Sequence, residues 1–172
     1  MNSYFTSRKS SFNIVKLLNA SLYSKSAVII VRQWAKRKEN WRRTILLAAG
    51  GKNNKWAFKI LPILFDLGVD IGIRDFKTGW MVSHFAAASG NVKLLRFIFD
   101  KCEHSISLYD TTNDGSNVLH IASRYCRLKV VQLLVDHYKM NIHIRDQKGQ
   151  TAKEIAIFQV QGIRLLPFLR NL

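Results

Sequence analysis

Apolar residues recur at three- and four-residue steps through residues 79–98 and again through residues 115–135, which is the spacing of one face of an α-helix. The pattern restarts after Gly79, Gly115 and Gly149, and a short polar link interrupts each helical stretch. A short extended segment with apolar residues at alternate positions precedes each glycine. The sequence therefore predicts a unit made of a turn, a short helix, a link, a longer helix and an extended tip.

The extended segment returns at a nearly constant spacing along the chain. Residues 71–75 read Ile-Gly-Ile-Arg-Asp, residues 106–110 read Ile-Ser-Leu-Tyr-Asp, and residues 142–146 read Ile-His-Ile-Arg-Asp, with spacings of 35 and 36 residues. A repeat of this length is typical of proteins built from stacked units. One helix pair of this size cannot bury its own apolar face, so neighbouring units have to pack on one another.

These units resemble ankyrin repeats, whose family pattern runs Gly-x-Thr-Pro-Leu-His-x-Ala-Ala, then Gly-His, then a Val-Val-x-Leu-Leu-Leu helix. The third unit matches best, through Gly115, Leu119, His120, Ala122, Val130, Val131, Leu133 and Leu134. The second unit keeps Gly79, His84, Ala86, Ala87, Gly90, Leu94 and Leu95, and the fourth keeps Gly149, Thr151 and Ala156. The second unit departs from the pattern at Met81, Val82 and Ser83, where Thr-Pro-Leu is usual.

The resemblance implies an all-α fold, an ankyrin-repeat solenoid of about four stacked helix-turn-helix units with short β-hairpin-like tips. The repeat domain is expected at residues 41–172, with units at about 41–75, 76–110, 111–146 and 147–172. Residues 1–40 are either a basic N-terminal arm or a degenerate capping repeat, and the sequence leaves both interpretations open. Small residues at the same place in three units, Ala86, Ala122 and Ala156, are expected where adjacent helices approach closely.

The positive charge of the chain is concentrated near its N-terminus. The chain has 27 lysines and arginines against 11 acids, a formal net charge of +16. Half of this excess lies in residues 1–38, before the first acid, Glu39. A basic cluster follows at Lys36, Arg37, Lys38, Arg42 and Arg43. This segment suits binding to nucleic acid or to an anionic surface, a nuclear-import signal, or a mitochondrial transit segment.

The sequence contains no recognisable catalytic or cofactor motif. It has no phosphate-cradling glycine-rich loop, no Cys-x-x-Cys pair and no His-Glu-x-x-His helix, so we expect no enzymatic activity, no cofactor and no bound metal. His84 and His120 recur in two units, and the resemblance assigns them hydrogen bonds to neighbouring backbone. The apolar runs are far shorter than the roughly 20 residues of a membrane span. The two cysteines form no disulfide pattern, and both observations fit a cytoplasmic or nuclear protein.

The resemblance further implies a monomer that binds a protein partner through the concave surface made by the repeat tips and first helices. The expected contact residues lie exposed at or near the tips, and they are Phe76, Lys77, Trp80, Thr112, Asn113 and Lys148. Phe76 and Trp80 are the expected anchors, because aromatic side chains often dominate interface energies. The alternative that both rings pack against the next tip stays open.

A narrower hypothesis follows from a resemblance to short virus-encoded ankyrin proteins that are similar to inhibitors of kappa-B. Such a protein would bind Rel/NF-kappa-B transcription factors in the host cell and suppress immune signalling. The charge of this chain opposes a direct transfer, because inhibitors of that family hold a basic nuclear-localisation segment with acidic surface, whereas this chain is strongly basic.

Removal of residues 1–40 is expected to separate binding by the repeats from binding by the basic arm. If the repeats bind, a chain that starts near Arg42 retains the partners of the full chain in affinity capture from nuclease-treated lysate. If the arm binds, the truncated chain loses them, and capture by the full chain falls steeply as the salt concentration rises. Mass spectrometry of the proteins captured at low and high salt makes the measurement.

Overall fold

The computed structural model describes residues 61–62, 65–66, 70–102 and 104–159. Residues 61–62 and 65–66 are helical, and the two longer ranges contain helices α1 (Val82–Ser89), α2 (Val92–Lys101), α3 (Val118–Arg124), α4 (Leu128–Gln132) and α5 (Ala152–Phe158). Helix α4 continues directly into a π-helical segment, Leu133–His137. No described helix is long and apolar enough to cross a membrane. The predicted arm or capping repeat at residues 1–40 lies outside the described residues.

The described helices form two layers. Helices α1, α3 and α5 lie side by side in the first layer, and in the second layer α2 packs against α1 while α4 packs against α3. Each pair therefore follows the predicted order of a first helix, a link and a second helix. This stack of helix pairs is the all-α solenoid that the sequence predicts.

The hydrophobic core runs without interruption from one helix pair to the next. Its largest fully buried side chains come from successive units along the chain, and they are Leu61, Ile71, Leu94, Leu95, Ile98, Leu119, Ile121 and Leu134. Ala86, Ala122 and Ala156 have no exposed surface, and each lies in a first-layer helix that contacts its neighbour. Because protein interiors are close-packed, these small side chains set how closely the helices approach, as the sequence predicts.

The tips are hairpin-like turns that are bonded to one another. Within each tip one backbone amide donates across the turn: Asp75 to Trp80 at 2.7 Å, Thr112 to Ser116 at 3.0 Å, and Asp146 to Gln150 at 2.9 Å. Between tips, the Asn113 amide donates to the Thr78 carbonyl at 2.9 Å, and the Gln147 amide donates to the Asp114 carbonyl at 3.2 Å. A Cβ on Gly115, whose φ is 73°, would lie 2.9 Å from the Gln147 nitrogen, so glycine is needed there.

The first-layer helices α3 and α5 begin at capping residues. Asn117 is only 1% exposed, and its Oδ1 accepts hydrogen bonds from the amides of Leu119 at 3.0 Å and His120 at 3.1 Å. Thr151 caps α5 in the same way and accepts from the Glu154 amide at 3.3 Å. These side chains satisfy amides that have no partner inside the helix.

The link between α3 and α4 contains a backbone conformation that the sequence does not predict. Cys126 has a φ of 55°, in the left-handed region, and Gly90, with a φ of 81°, holds the corresponding place after α1. The left-handed conformation costs a residue with a Cβ roughly 1–2 kcal/mol. Packing of the Cys126 side chain against the core helps to offset this cost.

We expect Asn117→Ala to lower the free energy of unfolding by about 1–2 kcal/mol, because two amides at the start of α3 lose a buried acceptor. Asn117→Thr is the matched control, since Thr151 shows that a hydroxyl can cap a first-layer helix in this chain. Urea denaturation followed by circular dichroism measures both variants. Equal losses in the two would show that the capping oxygen contributes little.

Candidate functional site

The tips and the first-layer helices share one face of the stack, which we call the inner face. It consists of the tip residues 74–80, 110–116 and 145–150 together with the exposed sides of α1, α3 and α5 and the residues that end them. It also includes the link after α3 as far as Arg127, whose Nε donates to the Ala88 carbonyl near the end of α1. Contacts between tip side chains and first-layer helices define it, as at Trp80 and in a pocket between α3 and α5.

An aromatic patch of Trp80, Phe85 and Tyr125 crosses from one helix pair to the next on the inner face. The centroid of the Trp80 ring lies 5.0 Å from that of Phe85 and 6.1 Å from that of Tyr125, with interplanar angles of 62° and 87°. Edge-to-face contacts of this kind contribute roughly 0.5–1.5 kcal/mol each and orient the rings. Tyr125 is 45% exposed and the other two rings are half-buried, so the patch is held in place and still accessible.

A pocket of about 400 Å³ continues the inner face between α3 and α5. The tips contribute Asp114, Lys148 and Gln150 to its lining, and the first-layer helices contribute Arg124, Ile155 and Phe158. Phe158 is 74% exposed and lies at the edge of the pocket, whose accessible lining is mainly polar. The pocket therefore combines an aromatic ring with charged and amide side chains.

Arg124 links two tips to α3 at this pocket. Its guanidinium nitrogens lie 3.3 Å from the Asp114 carboxylate and 3.8 Å from the Asp146 carboxylate, and one of them donates to the Ser116 hydroxyl at 3.0 Å. Burial alone would raise the pKa of Asp114, but hydrogen bonds from Thr112 and Ser116 and the charge of Arg124 lower it overall. The Asp146 side chain is 1% exposed, and its Oδ2, which has no hydrogen-bond partner within the described residues, faces the Arg124 guanidinium.

Five of the six predicted contact residues are at least partly accessible on the inner face, namely Phe76, Lys77, Trp80, Asn113 and Lys148. Phe76 is 83% exposed, which rules out the alternative that it packs against the next tip, and the Lys77 ammonium lies 5.7 Å from its ring centroid. Trp80 does pack, but on Phe85 and Tyr125. Lys148 is exposed beside the pocket.

The two predicted residues of the middle tip form hydrogen bonds within a tip or between tips. The expectation that Thr112 is exposed is wrong: it is 4% exposed, and its hydroxyl points into the turn. There its single proton has two acceptors within reach, the Asp114 carboxylate and the Ser116 carbonyl at 3.0 Å. Asn113 is exposed, and its side-chain amide donates to the Lys77 carbonyl of the preceding tip at 3.1 Å. Thr112 is therefore omitted from the proposed surface.

Several residues of the inner face were not predicted from the sequence, namely Phe85, Arg124, Tyr125 and Phe158. Arg124 and Tyr125 stand where the apolar pattern of α3 breaks, and that break is a usable signal for a side chain at the accessible end of a first helix. The predicted basic cluster of Lys36, Arg37, Lys38, Arg42 and Arg43 lies outside the described residues.

The chain matches the family model described as "Ankyrin repeats (3 copies)" over residues 45–146 and 83–166, which is more than half of its length. It belongs to the ankyrin-repeat family. It is 31% identical over 83 residues to "Ankyrin repeat domain-containing protein 53" of Mus musculus, and 33% identical over 73 residues to "BTB/POZ domain and ankyrin repeat-containing protein NPR2" of Oryza sativa subsp. japonica. These matches cover 48% and 42% of this chain but only 16% and 10% of the two relatives.

Among solved structures, a chain of the crystal structure of the yeast ribosomal protein Rps3 in complex with its chaperone Yar1 resembles this ankyrin protein. The TM-score is 0.66 at 22% sequence identity, and the match covers 78% of this chain and 95% of the other. At this identity the likeness supports the shared fold.

The recurrent histidines of these ankyrin repeats tie each first helix to the following tip. Nδ1 of His84 accepts from the backbone amide that precedes α1 at 3.1 Å, and its Nε2 lies 3.2 Å from the Asp110 carbonyl oxygen, to which it donates in the neutral tautomer that suits both bonds. His120 repeats the arrangement, with 3.2 Å to the amide before α3 and 3.0 Å to the Ile144 carbonyl. Both ring nitrogens thus serve the backbone, as the family resemblance implies.

Burial keeps these histidines neutral in the folded ankyrin stack. It lowers the pKa of His84 from 6.5 to about 4, although the carbonyl and carboxylate of Asp110 act in the opposite direction. Burial lowers the pKa of His120 as well, against the carbonyl of Ile144. The unfolded chain, in which both histidines are in water, therefore binds protons at a higher pH than the folded chain does.

We expect the histidine contribution to the free energy of unfolding to be complete above about pH 6.5 and to decrease as the pH falls toward about 4, because unfolding then takes up protons that the folded state excludes. The difference between the pKa of His84 in the unfolded and in the folded chain corresponds to a loss in the free energy of unfolding on the order of 3 kcal/mol. Urea denaturation across this pH range makes the measurement. His84→Gln should flatten the part of the profile that comes from His84, and His120→Gln should flatten a further part. A profile that keeps its full slope in His84→Gln would contradict the expectation.

Proposed function

We propose that this ankyrin-repeat chain is a non-enzymatic protein-binding module whose partner docks on the inner face. Ankyrin repeats are a protein–protein interaction module that presents a long, rigid surface. The observation that supports this location is the aromatic patch, in which three rings from two neighbouring repeats are held edge to face and left partly accessible.

The distribution of exposed apolar side chains also favours the inner face over the second layer. In the part of the chain that the structure describes, the large hydrophobic side chains that remain exposed are Phe76, Tyr109, Tyr125, Ile157 and Phe158. None of them belongs to α2 or α4. All five lie in a tip, in the segment leading to a tip, or at the end of a first-layer helix.

The fixed orientation of the aromatic patch would lower the free-energy cost of binding a partner. Binding costs free energy whenever side chains lose freedom at the interface, roughly 0.5–1.5 kcal/mol for each flexible one. Trp80 and Phe85 already lose that freedom in the free protein, because their rings are in contact. Aromatic residues that are immobilised in advance are typical of interface positions that carry much of the binding energy.

The narrower hypotheses gain no support beyond the sequence patterns from which they came. Binding of Rel/NF-kappa-B factors rests on the resemblance to inhibitors of kappa-B, and neither relative named above is described as such an inhibitor. Nucleic-acid binding rests on the basic cluster, which lies outside the described ranges. Because the chain spans less than a fifth of its curated relatives, their activities and partners are not transferred to it.

Site-specific photo-crosslinking in the full chain tests the location of the partner. Benzoylphenylalanine is placed at Tyr125 on the inner face or, as the control, at Lys101, which is exposed at the end of α2 in the second layer. We expect discrete cross-linked proteins from cell lysate with the probe at Tyr125 and not with the probe at Lys101. Circular dichroism of both chains verifies that the fold is retained.

Two results would contradict the proposal. The same set of cross-linked proteins from both positions would mean that contact is unspecific, and discrete products from Lys101 alone would place the partner on the second layer.

A further inference from the structure

We propose that the inner face binds an acidic protein segment that carries a bulky apolar side chain. This inference rests on the protein-binding function proposed above and adds the chemistry of the partner. It follows from an asymmetry among the charged groups of the inner face, where the carboxylates are engaged by the chain itself while two exposed cations have no carboxylate partner in the described residues.

Every carboxylate of the tips and first-layer helices accepts hydrogen bonds from the chain. Five acids fall within residues 74–89, 110–127 and 145–159. The bonds join Asp75 to Thr78, Asp110 to Arg74 and Ser107, Asp114 to Arg124 and Ser116, Asp146 to the amides of Lys148 and Gln150, and Glu154 to Thr151 and Arg145. A basic partner would therefore have to compete with existing bonds at each carboxylate.

The cations of Lys148 and Arg127 are in the opposite situation. Within the described ranges, neither side chain forms an ion pair with a carboxylate. Lys148 is exposed beside the pocket between α3 and α5. Arg127 is exposed two residues after Tyr125, and its Nε donates to the Ala88 carbonyl at 2.7 Å, which positions the guanidinium without neutralising its charge.

The overall charge of the chain adds to this local preference. The same three segments of the inner face carry seven basic residues against five acidic ones, and the chain as a whole has a net charge of +16. Long-range attraction raises the rate at which an acidic partner is encountered, and local pairs with Lys148 and Arg127 then orient it.

Charge alone would not hold the partner, because ion pairs between exposed side chains contribute only about 0–1 kcal/mol each and are screened by salt. The apolar side chain of the bound segment supplies the remaining binding free energy by covering the exposed surface of Tyr125, Trp80 or Phe158. A nucleic acid fits this surface less well, since its affinity depends on many phosphate contacts and the basic excess within the inner face is small.

A defined peptide tests the inference on the full chain. The probe is a fluorescein-labelled peptide of glutamate and aspartate around one central phenylalanine, and binding is followed by fluorescence anisotropy at about 0.05 M salt. We expect saturable binding. It should disappear when lysines replace the acids, and weaken when alanine replaces the phenylalanine.

Matched variants locate the bound peptide. Lys148→Glu should weaken binding about tenfold, because an attractive charge pair is replaced by a repulsive one, and Tyr125→Ala should weaken it about tenfold through loss of an aromatic contact. Lys101→Glu makes the same change in net charge at an exposed residue that ends α2 in the second layer, and it should alter the affinity by less than about twofold. Circular dichroism melting curves verify that all three variants fold.

Three results would overturn the inference. The first is an equal loss of affinity in Lys148→Glu and Lys101→Glu, because binding would then follow net charge and not this face. The second is the absence of saturable binding of the acidic peptide. The third is tighter binding of a single-stranded DNA of equal charge that is sensitive to Lys148→Glu, which would assign the face to nucleic acid.

Photo-crosslinking at Tyr125 distinguishes the failure of this inference from the failure of the proposed function. Cross-linked proteins at Tyr125 without binding of the acidic peptide would overturn only the acidic chemistry of the partner. Absence of both would overturn the inference together with protein binding at the inner face.

Discussion

Contact between neighbouring repeats is the interaction on which the rest of this structure depends. The first-layer helices α1, α3 and α5 have only 7 or 8 residues each, too few to be stable in isolation. Each is stabilised by burying its apolar side against the next helix, where Ala86, Ala122 and Ala156 are fully buried. The close approach at these alanines also brings successive tips within hydrogen-bonding distance of one another.

The same contact between repeats creates the inner face. It brings Trp80 of one repeat against Tyr125 of the next, and it places Arg124 between carboxylates from two tips. The neutral histidines have a related role, because each crosses from its own helix to the carbonyl of the following tip. Folding and the presentation of the binding surface therefore rest on the same contacts, and a change that weakens the stack should also distort the surface.

Residues that look alike in the sequence are used differently at the tips. Thr112, Asn113 and Lys148 are all polar and all lie in turns, yet Thr112 is buried, Asn113 joins two tips and Lys148 stays exposed beside the pocket. The difference in exposure depends on which acceptors lie nearby in the turn. The Thr112 hydroxyl is short and has acceptors two and four residues away, so it bonds inside the turn. The Lys148 side chain is long, and its ammonium remains hydrated at the edge of the pocket. In the same way, the carboxylates of the tips accept hydrogen bonds from residues of the chain itself.

The sequence by itself determined the repeating unit, the order of the helices, the buried alanines and the backbone role of His84 and His120. These features depend on periodicity and on positions within one unit, which a single chain displays directly. Only the tertiary structure decided that Thr112 is buried, that Trp80 packs across a repeat boundary, and that Arg124 and Tyr125 belong to the inner face. These outcomes depend on contacts between residues of different units, and sequence patterns within one unit carry no information about which side chain its neighbour will cover.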